Sequence, residues 1–292
     1  MEKYIEAFLN AIKGTSNWAW KSATLEINPW YTNYFLGLII ISLVVWLLEI
    51  VFPWRKNQSI FRKDFWLDGF YMFYNFFIFS ILISGFYKIM NLGFADLGIS
   101  DSSFEIINIS SMPIWLGLLI FFILNDFVQW FTHVILHRYL FLWNFHKVHH
   151  SIKEMGFAGH LRYHWMENII YKPLKTLIVM IIIGGEPQQA FLIHFIAIAI
   201  GHLNHANIKI TWGPLKYIFN NPVMHLYHHV KELPSSHNHG VNFGISLSLW
   251  DYIFKTAYVP EDSGTIELGW GGDENFPQTF LGQIGVGFWK EK

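Results

Sequence analysis

The sequence predicts an all-α polytopic membrane protein: about four transmembrane helices, the fourth of them broken, with a helical cap on one face. Three observations predict it. Only 14% of the 292 residues are charged, against about a quarter in a soluble domain, while 53% are hydrophobic and 19% aromatic. Three apolar stretches reach the roughly 20 residues needed to cross a hydrocarbon core: Tyr34 to Phe52, Trp66 to Met90 and Ile114 to Leu136. All fifteen histidines lie between His133 and His239, so the candidate polar chemistry begins only at the end of the third stretch.

The chain reads as one domain in five parts. Residues 1–32 hold Trp18, Trp20, Trp30 and Tyr31, which suits an interfacial helix or a helix packed on the spans. No basic start, short apolar core and small-residue cleavage site marks a removable signal peptide there. Residues 33–137 carry the three long spans. Residues 138–171 are amphipathic and form the first part of the cap. Residues 172–205 form the fourth hydrophobic region, whose apolar core from Leu174 to Ile200 is interrupted at Gly184, Gly185, Glu186 and Pro187. Such a break is tolerated at membrane depth where the backbone is buried in protein. Residues 206–292 complete the cap and the tail, where Gly269 to Gly272 read as a structural turn. Arg55, Lys56, Arg62 and Lys63 come after the first span, whereas Asn91 to Met112 has no Lys or Arg and carries Asp96, Asp101 and Glu105. The positive-inside rule then places the first loop, and with it every histidine motif, in the cytoplasm.

The histidines fall into runs: His133 and His137, then His146, His149 and His150, then His225, His228 and His229, with His202 and His205 between the last two. Side chains three or four apart on a helix share a face, and neutral imidazole is the commonest protein ligand for a metal. Eight imidazoles in three runs exceed what one ion takes, which points to two ions held close together. Burying that many polar rings unpaired would cost several kcal/mol. Imidazole suits zinc, copper, iron and nickel alike, and the absence of cysteine excludes thiolate ligands and disulfides. Asp126, Glu154, Glu167 and Asp251 are candidates to fix the ring tautomers, with Asp251 equally suited to capping a helix. Of the remaining histidines, His160 and His194 read as satisfied structural residues, while His237 and His239 lie in a polar loop. A net charge of −1 offers no footprint for nucleic acid.

The order H-x3-H (His133, His137), H-x2-H-H (His146, His149, His150) and H-x2-H-H (His225, His228, His229), opening at the end of a transmembrane helix, resembles the fatty acid hydroxylase and sterol desaturase superfamily. The likeness extends to Ser151, to Arg162-Tyr163-His164 with Glu167, and to His205-Ala206-Asn207-Ile208. It continues through Pro222 before His225, Asn242-Phe243-Gly244, and Leu249-Trp250-Asp251 with Phe254 and Thr256. It is specific over about residues 115–256. The resemblance implies an integral-membrane non-haem di-iron enzyme that uses O2 and two external electrons to hydroxylate or desaturate lipid C–H bonds. It implies iron ligands at His133, His137, His146, His149, His150, His205, His225, His228 and His229, with His202 as a further candidate. His164 stands as a ligand or a donor beside Glu167. Implied partners are the bilayer, a lipid substrate and a redox partner (a b-type cytochrome, ferredoxin or reductase). Two other classes compete: a zinc-dependent membrane hydrolase, which needs a carboxylate base and an open metal position, and a metal transporter or sensor, which would place histidines along the spans rather than at one face.

Overall fold

A computed structural model describes residues 1–99, 106–107, 109–170, 187–260 and 266–288. The described residues are helical and contain no β-strand, only isolated bridges such as Pro53 to Ile208 and Phe219 to Leu247.

Helix α1 (Glu2–Ala23) precedes α2 (Tyr34–Val51), which begins where the Asn33 side chain accepts from the Leu36 N–H at 3.0 Å. The next helix, α3, runs Phe65–Asp96, and α4 runs Ile114–Arg138. α2, α3 and α4 are each long and apolar enough to cross a membrane, close to the predicted bounds. Their outward side chains, among them Leu47, Phe70, Leu82, Phe86 and Phe131, are exposed and apolar, as a lipid-facing surface requires. The cap continues with α5 (Leu140–His150), a 3-10 turn at Phe157–Leu161 and helical residues 165–170. Then come α6 (Pro187–His205), α7 (Pro222–His228), α8 (Leu249–Ile253) and α9 (Phe280–Ile284). Residues 171–186, which hold the first part of the predicted fourth region and its break at Gly184, Gly185 and Glu186, lie outside the described residues, and α6 is described from Pro187.

α1 packs along the second half of α3: Phe8 meets the Phe86 ring, and Lys3 and Tyr4 bond Asp96 at 2.6 and 2.7 Å. Trp18 joins Tyr34 and Phe77 in an apolar cluster, so α1 packs on the spans, while Trp20, Trp30 and Tyr31 stay exposed.

α3 is interrupted by a π turn over Tyr74–Ile78. This turn places Asn75, fully buried, so that its amide donates to the carbonyls of Leu161 (3.3 Å) and Tyr163 (3.1 Å) and accepts from Asn168 Nδ2 at 3.0 Å. Nearer the start of the same helix, Asp68 bonds both Arg62 and Arg162, and Arg162 also meets Asp64 at 3.3 Å. Asp68, Arg62 and Arg162 are all buried. The second span thus grips the 161–168 segment of the cap by two sets of polar contacts.

The segment after α2 lies at the cap end as well. Trp54 N donates to Asn207 O (2.8 Å), Arg55 N to Asn207 Oδ1 (3.0 Å), and Glu49 Oε1 accepts from Phe157 N and Asn207 N (2.9 and 2.8 Å). The basic residues beyond the first span and the histidine motifs therefore occupy the same end of the helices.

Candidate metal centre

α4 delivers His133 and His137 from its last turns, one above the other. α5 adds His146, His149 and His150, and α6 ends on His205. α7 starts at Pro222, which presets the first helical turn, with Asn221 accepting from Met224 N at 3.0 Å; it supplies His225 and His228, and His229 comes directly after it. The rings converge in two groups. His133, His137, His146, His150 and His228 form one; His149, His205, His225 and His229 form the other, each with ligand atoms within 4.8 Å of one another. His202 belongs to neither. A separation of three residues leaves its ring about 60° around α6 from His205, and its nitrogens meet Ser42 Oγ (3.2 Å) and His160 Nδ1 (3.1 Å) instead.

The Nδ1 atoms explain why the Nε2 atoms point inward. His133 Nδ1 donates to Phe243 O at 2.7 Å, His228 Nδ1 to Val241 O at 2.8 Å, His149 Nδ1 to Arg162 O at 2.9 Å and His205 Nδ1 to Gly201 O at 2.8 Å. A carbonyl only accepts, so each of these neutral rings keeps its proton on Nδ1 and presents a bare lone pair at Nε2. His149 Nε2 and His205 Nε2 then face each other at 3.2 Å, lone pair to lone pair. Such a contact is repulsive unless a cation lies between the two nitrogens. His228 Nε2 is buried without a hydrogen-bond partner and aims into the five-histidine group. The donor set fits metal ions at both groups.

Burial holds the rings neutral, as ligation demands. It pushes His146 down to about 3, drives His225, His228 and His229 well below the usual range, and, with the neighbouring His146 ring adding to it, takes His149 to about 4. Glu167 accepts from or shares a proton with His146 Nδ1 at 3.0 Å. Since burial also pushes Glu167 up to about 7, this contact is a hydrogen bond rather than an ion pair until a cation sits across the ring and draws the carboxyl down again.

Glu167 is the sequence-predicted carboxylate that touches a ring. The other three do not. Glu154 accepts from Lys63 N at 2.8 Å in the loop before α3. Asp126, on α4, accepts from Ser246 N (3.1 Å), Leu247 N (3.3 Å) and Trp250 Nε1 (3.0 Å). Asp251 accepts from Phe243 N (2.9 Å), Gly244 N (2.8 Å), Trp130 Nε1 (3.0 Å) and Thr256 Oγ1 (2.6 Å) and caps no helix. Both aspartates hold the 243–247 loop, Asp251 at residues 243 and 244, beside the carbonyl that meets His133, and Asp126 at residues 246 and 247. The Asn-Phe-Gly motif is fitted to this loop: Asn242 takes a left-handed φ of 53°, and a Cβ on Gly244 would lie 2.3 Å from Leu247 O. His164 is engaged by backbone on both nitrogens, Ile284 O at 2.8 Å and Met166 N at 3.1 Å, and stands outside both groups. His194 bonds the Tyr34 hydroxyl (3.0 Å), and His237 contacts Ser236 and Lys255 O.

Glu167→Ala should weaken metal retention about 10–100-fold, as losses of ring-orienting carboxylates do, measured by competition with a chelator. Metal-free protein should lose stability as pH falls below about 6.5. An unfolded imidazole takes its proton there, while His146 and His149 do so only near 3 and 4, so in that window the unfolded chain binds more protons and acid favours it. Glu167, raised to about 7, and Asp251, also raised by burial, work the other way, but the buried rings of the cap outnumber them. Unfolding midpoints of chelated protein across that window check the sign.

A helical chain with apolar spans and paired all-histidine clusters at one end of them defines a class of histidine-rich membrane proteins. Residues 118–256 match the fatty acid hydroxylase family model. The ornithine lipid hydroxylase OlsE of Rhizobium tropici is 29% identical over 57% of this chain and 48% of its own length. An alkylglycerol monooxygenase of Danio rerio is 28% identical over 84% of this chain and 51% of its own length. A very-long-chain aldehyde decarbonylase of Oryza sativa is 25% identical over 55% of this chain and 26% of its own length. The chain spans about half the length of the first two of these relatives. No solved structure gives a significant match. The family model and these relatives together support the fatty acid hydroxylase superfamily for this chain.

Proposed function

We propose that the chain is an oxygen-dependent monooxygenase that hydroxylates a C–H bond of a polar lipid at two iron ions. The five-histidine and the four-histidine groups hold one ion each. The observation that supports this most is the convergence of nine imidazoles, eight of them buried, in two adjoining groups at the end of the apolar helices. Bound iron would supply the one-electron and oxygen chemistry that redox-inert zinc lacks. The chain's own residues bind and orient: the carbonyls of residues 162, 201, 241 and 243 and the Glu167 carboxyl set the tautomers. The apolar spans present the site to a substrate that arrives from the bilayer. The ornithine lipid and alkylglycerol in the names of the two relatives support a polar lipid, and hydroxylation rather than desaturation.

The electrons come from a separate donor of the b-type cytochrome, ferredoxin or reductase kind. Arg55, Lys56, Arg62 and Lys63 at the histidine end support a cytoplasmic site, where such donors are reduced. A zinc hydrolase is less well supported. Its water needs a carboxylate base, whereas Glu167 meets His146 at Nδ1, on the ring edge away from the other histidines. The test is purified iron-loaded protein given O2, a chemical reductant and a panel of ornithine lipids and alkylglycerols. Uptake of one oxygen atom into the lipid, seen by mass spectrometry, is the expected product. Lipid ester cleavage without oxygen uptake, at full rate in iron-free protein, would overturn it.

A further inference from the structure

Although α5 and α7 supply rings to both histidine groups, the Nδ1 protons fixed by backbone carbonyls go to different parts of the chain in the two groups. In the five-histidine group, His133 and His228 both direct their Nδ1 protons to one loop, at Phe243 O (2.7 Å) and Val241 O (2.8 Å). In the four-histidine group, the corresponding protons of His149 and His205 go to Arg162 O and Gly201 O, which belong to the 3-10 turn region and to α6. Neither His149 nor His205 bonds the 241–247 loop by these contacts. Nothing in the ring positions requires this division; it arises from which backbone segments reach which ring.

Asp251 is the residue on which the loop hangs. Its carboxylate is fully buried and takes four hydrogen bonds: both loop N–H groups at 243 and 244, the Trp130 indole on α4, and the Thr256 hydroxyl. The peptide unit made of the Phe243 C=O and the Gly244 N–H therefore links Asp251 to His133: the carboxylate holds its N–H and the His133 ring proton is held by its carbonyl. Asn242, between Val241 and Phe243, is tied through its N–H to Thr256 O at 3.0 Å. The Asp251–Thr256 pair thus fixes the carbonyls that orient two of five rings in one group, and it holds neither of the carbonyls that orient His149 and His205 in the other.

Resting on the di-iron reading above, we infer that Asp251 is a positioning residue for the ion in the five-histidine group alone, so that the two ions can be loosened independently. The isosteric Asp251→Asn puts an amide N–H₂ where one carboxylate oxygen now accepts, leaving at least one of the loop N–H groups facing a donor. The loop carbonyls at 241 and 243 then lose their fixed direction.

The test is iron content per chain by mass spectrometry on iron-loaded, detergent-purified protein. Wild type is expected to carry about two irons and D251N about one. D251N/H228A, which removes a further ligand from the group already weakened, should still carry about one. D251N/H225A, which attacks the other group as well, should carry none. Two irons in D251N, or loss of both ions in D251N from protein that remains folded, would overturn the inference. Where D251N does not fold, Thr256→Val, which removes one bond and keeps the carboxylate, decides: release of one iron to chelator should quicken about tenfold while the other is unchanged. Equal quickening of both, or of neither, would refute it. Wild type without stoichiometric iron would instead sink the di-iron reading itself.

Discussion

Replacing His228 by alanine is expected to remove about half of the bound metal and all measurable lipid oxidation. The ring contributes a buried Nε2 with no hydrogen-bond partner to the five-histidine group, and its Nδ1 proton is already committed to Val241 O. No nearby side chain replaces that lone pair, because the neighbouring rings His133 and His150 already contribute their own nitrogens to the same group. The fold should persist, since His228 sits at the end of α7, whose start is fixed independently by Asn221 and Pro222. Metal content and far-UV circular dichroism on the same sample separate the two effects: metal falls and helicity stays.

The second large effect is on stability. Asp68→Ala is expected to destabilise the protein by about 3–5 kcal/mol, the range found when one partner of a buried ion pair is removed. Asp68 is fully buried and serves two buried guanidinium groups, Arg62 and Arg162. Without it Arg62 loses its buried ion-pair partner, and Arg162 retains only Asp64 at 3.3 Å. Because Arg162 O orients His149, metal in the four-histidine group should be lost along with stability. Asp68→Asn, which keeps one acceptor, should fall between the alanine variant and wild type. Thermal unfolding in detergent of the three proteins checks the order.

The spans and the converging rings were legible in the sequence for a simple reason. Twenty apolar residues and a three- or four-residue histidine spacing are periodic signals, which a helix translates directly into a face. Hence α2 and α4 lie within two residues of the predicted ends and α3 overruns its predicted end at Met90 by six, and eight of the motif histidines come together with His205, although each H-x2-H-H triple divides between the two groups instead of converging on one point. His202 shows the limit of spacing. It lies on nearly the same side of α6 as His205, yet Ser42 on α2 and His160 in the 3-10 turn capture its ring.

The supports of the site were much less legible. Four rings are oriented by backbone carbonyls, which every residue possesses and no motif announces. Asp251 and Asp126 stand out as carboxylates near the motifs, but only the fold reveals that they hold a loop rather than a ring. Asn75 and Asp68 sit in what reads as an ordinary apolar span. A polar residue within such a span was the available signal, since it is costly there without partners. The π turn that aims Asn75 at the 161 and 163 carbonyls has no sequence mark at all.

Metal content of wild-type protein, purified in detergent from iron-supplied cells, tests the central claim most directly. About two irons per chain, with little zinc, is the expected result, one for each group of converging imidazoles. Stoichiometric zinc with no iron, under any loading condition, would contradict an oxygenase and turn the site toward hydrolytic chemistry.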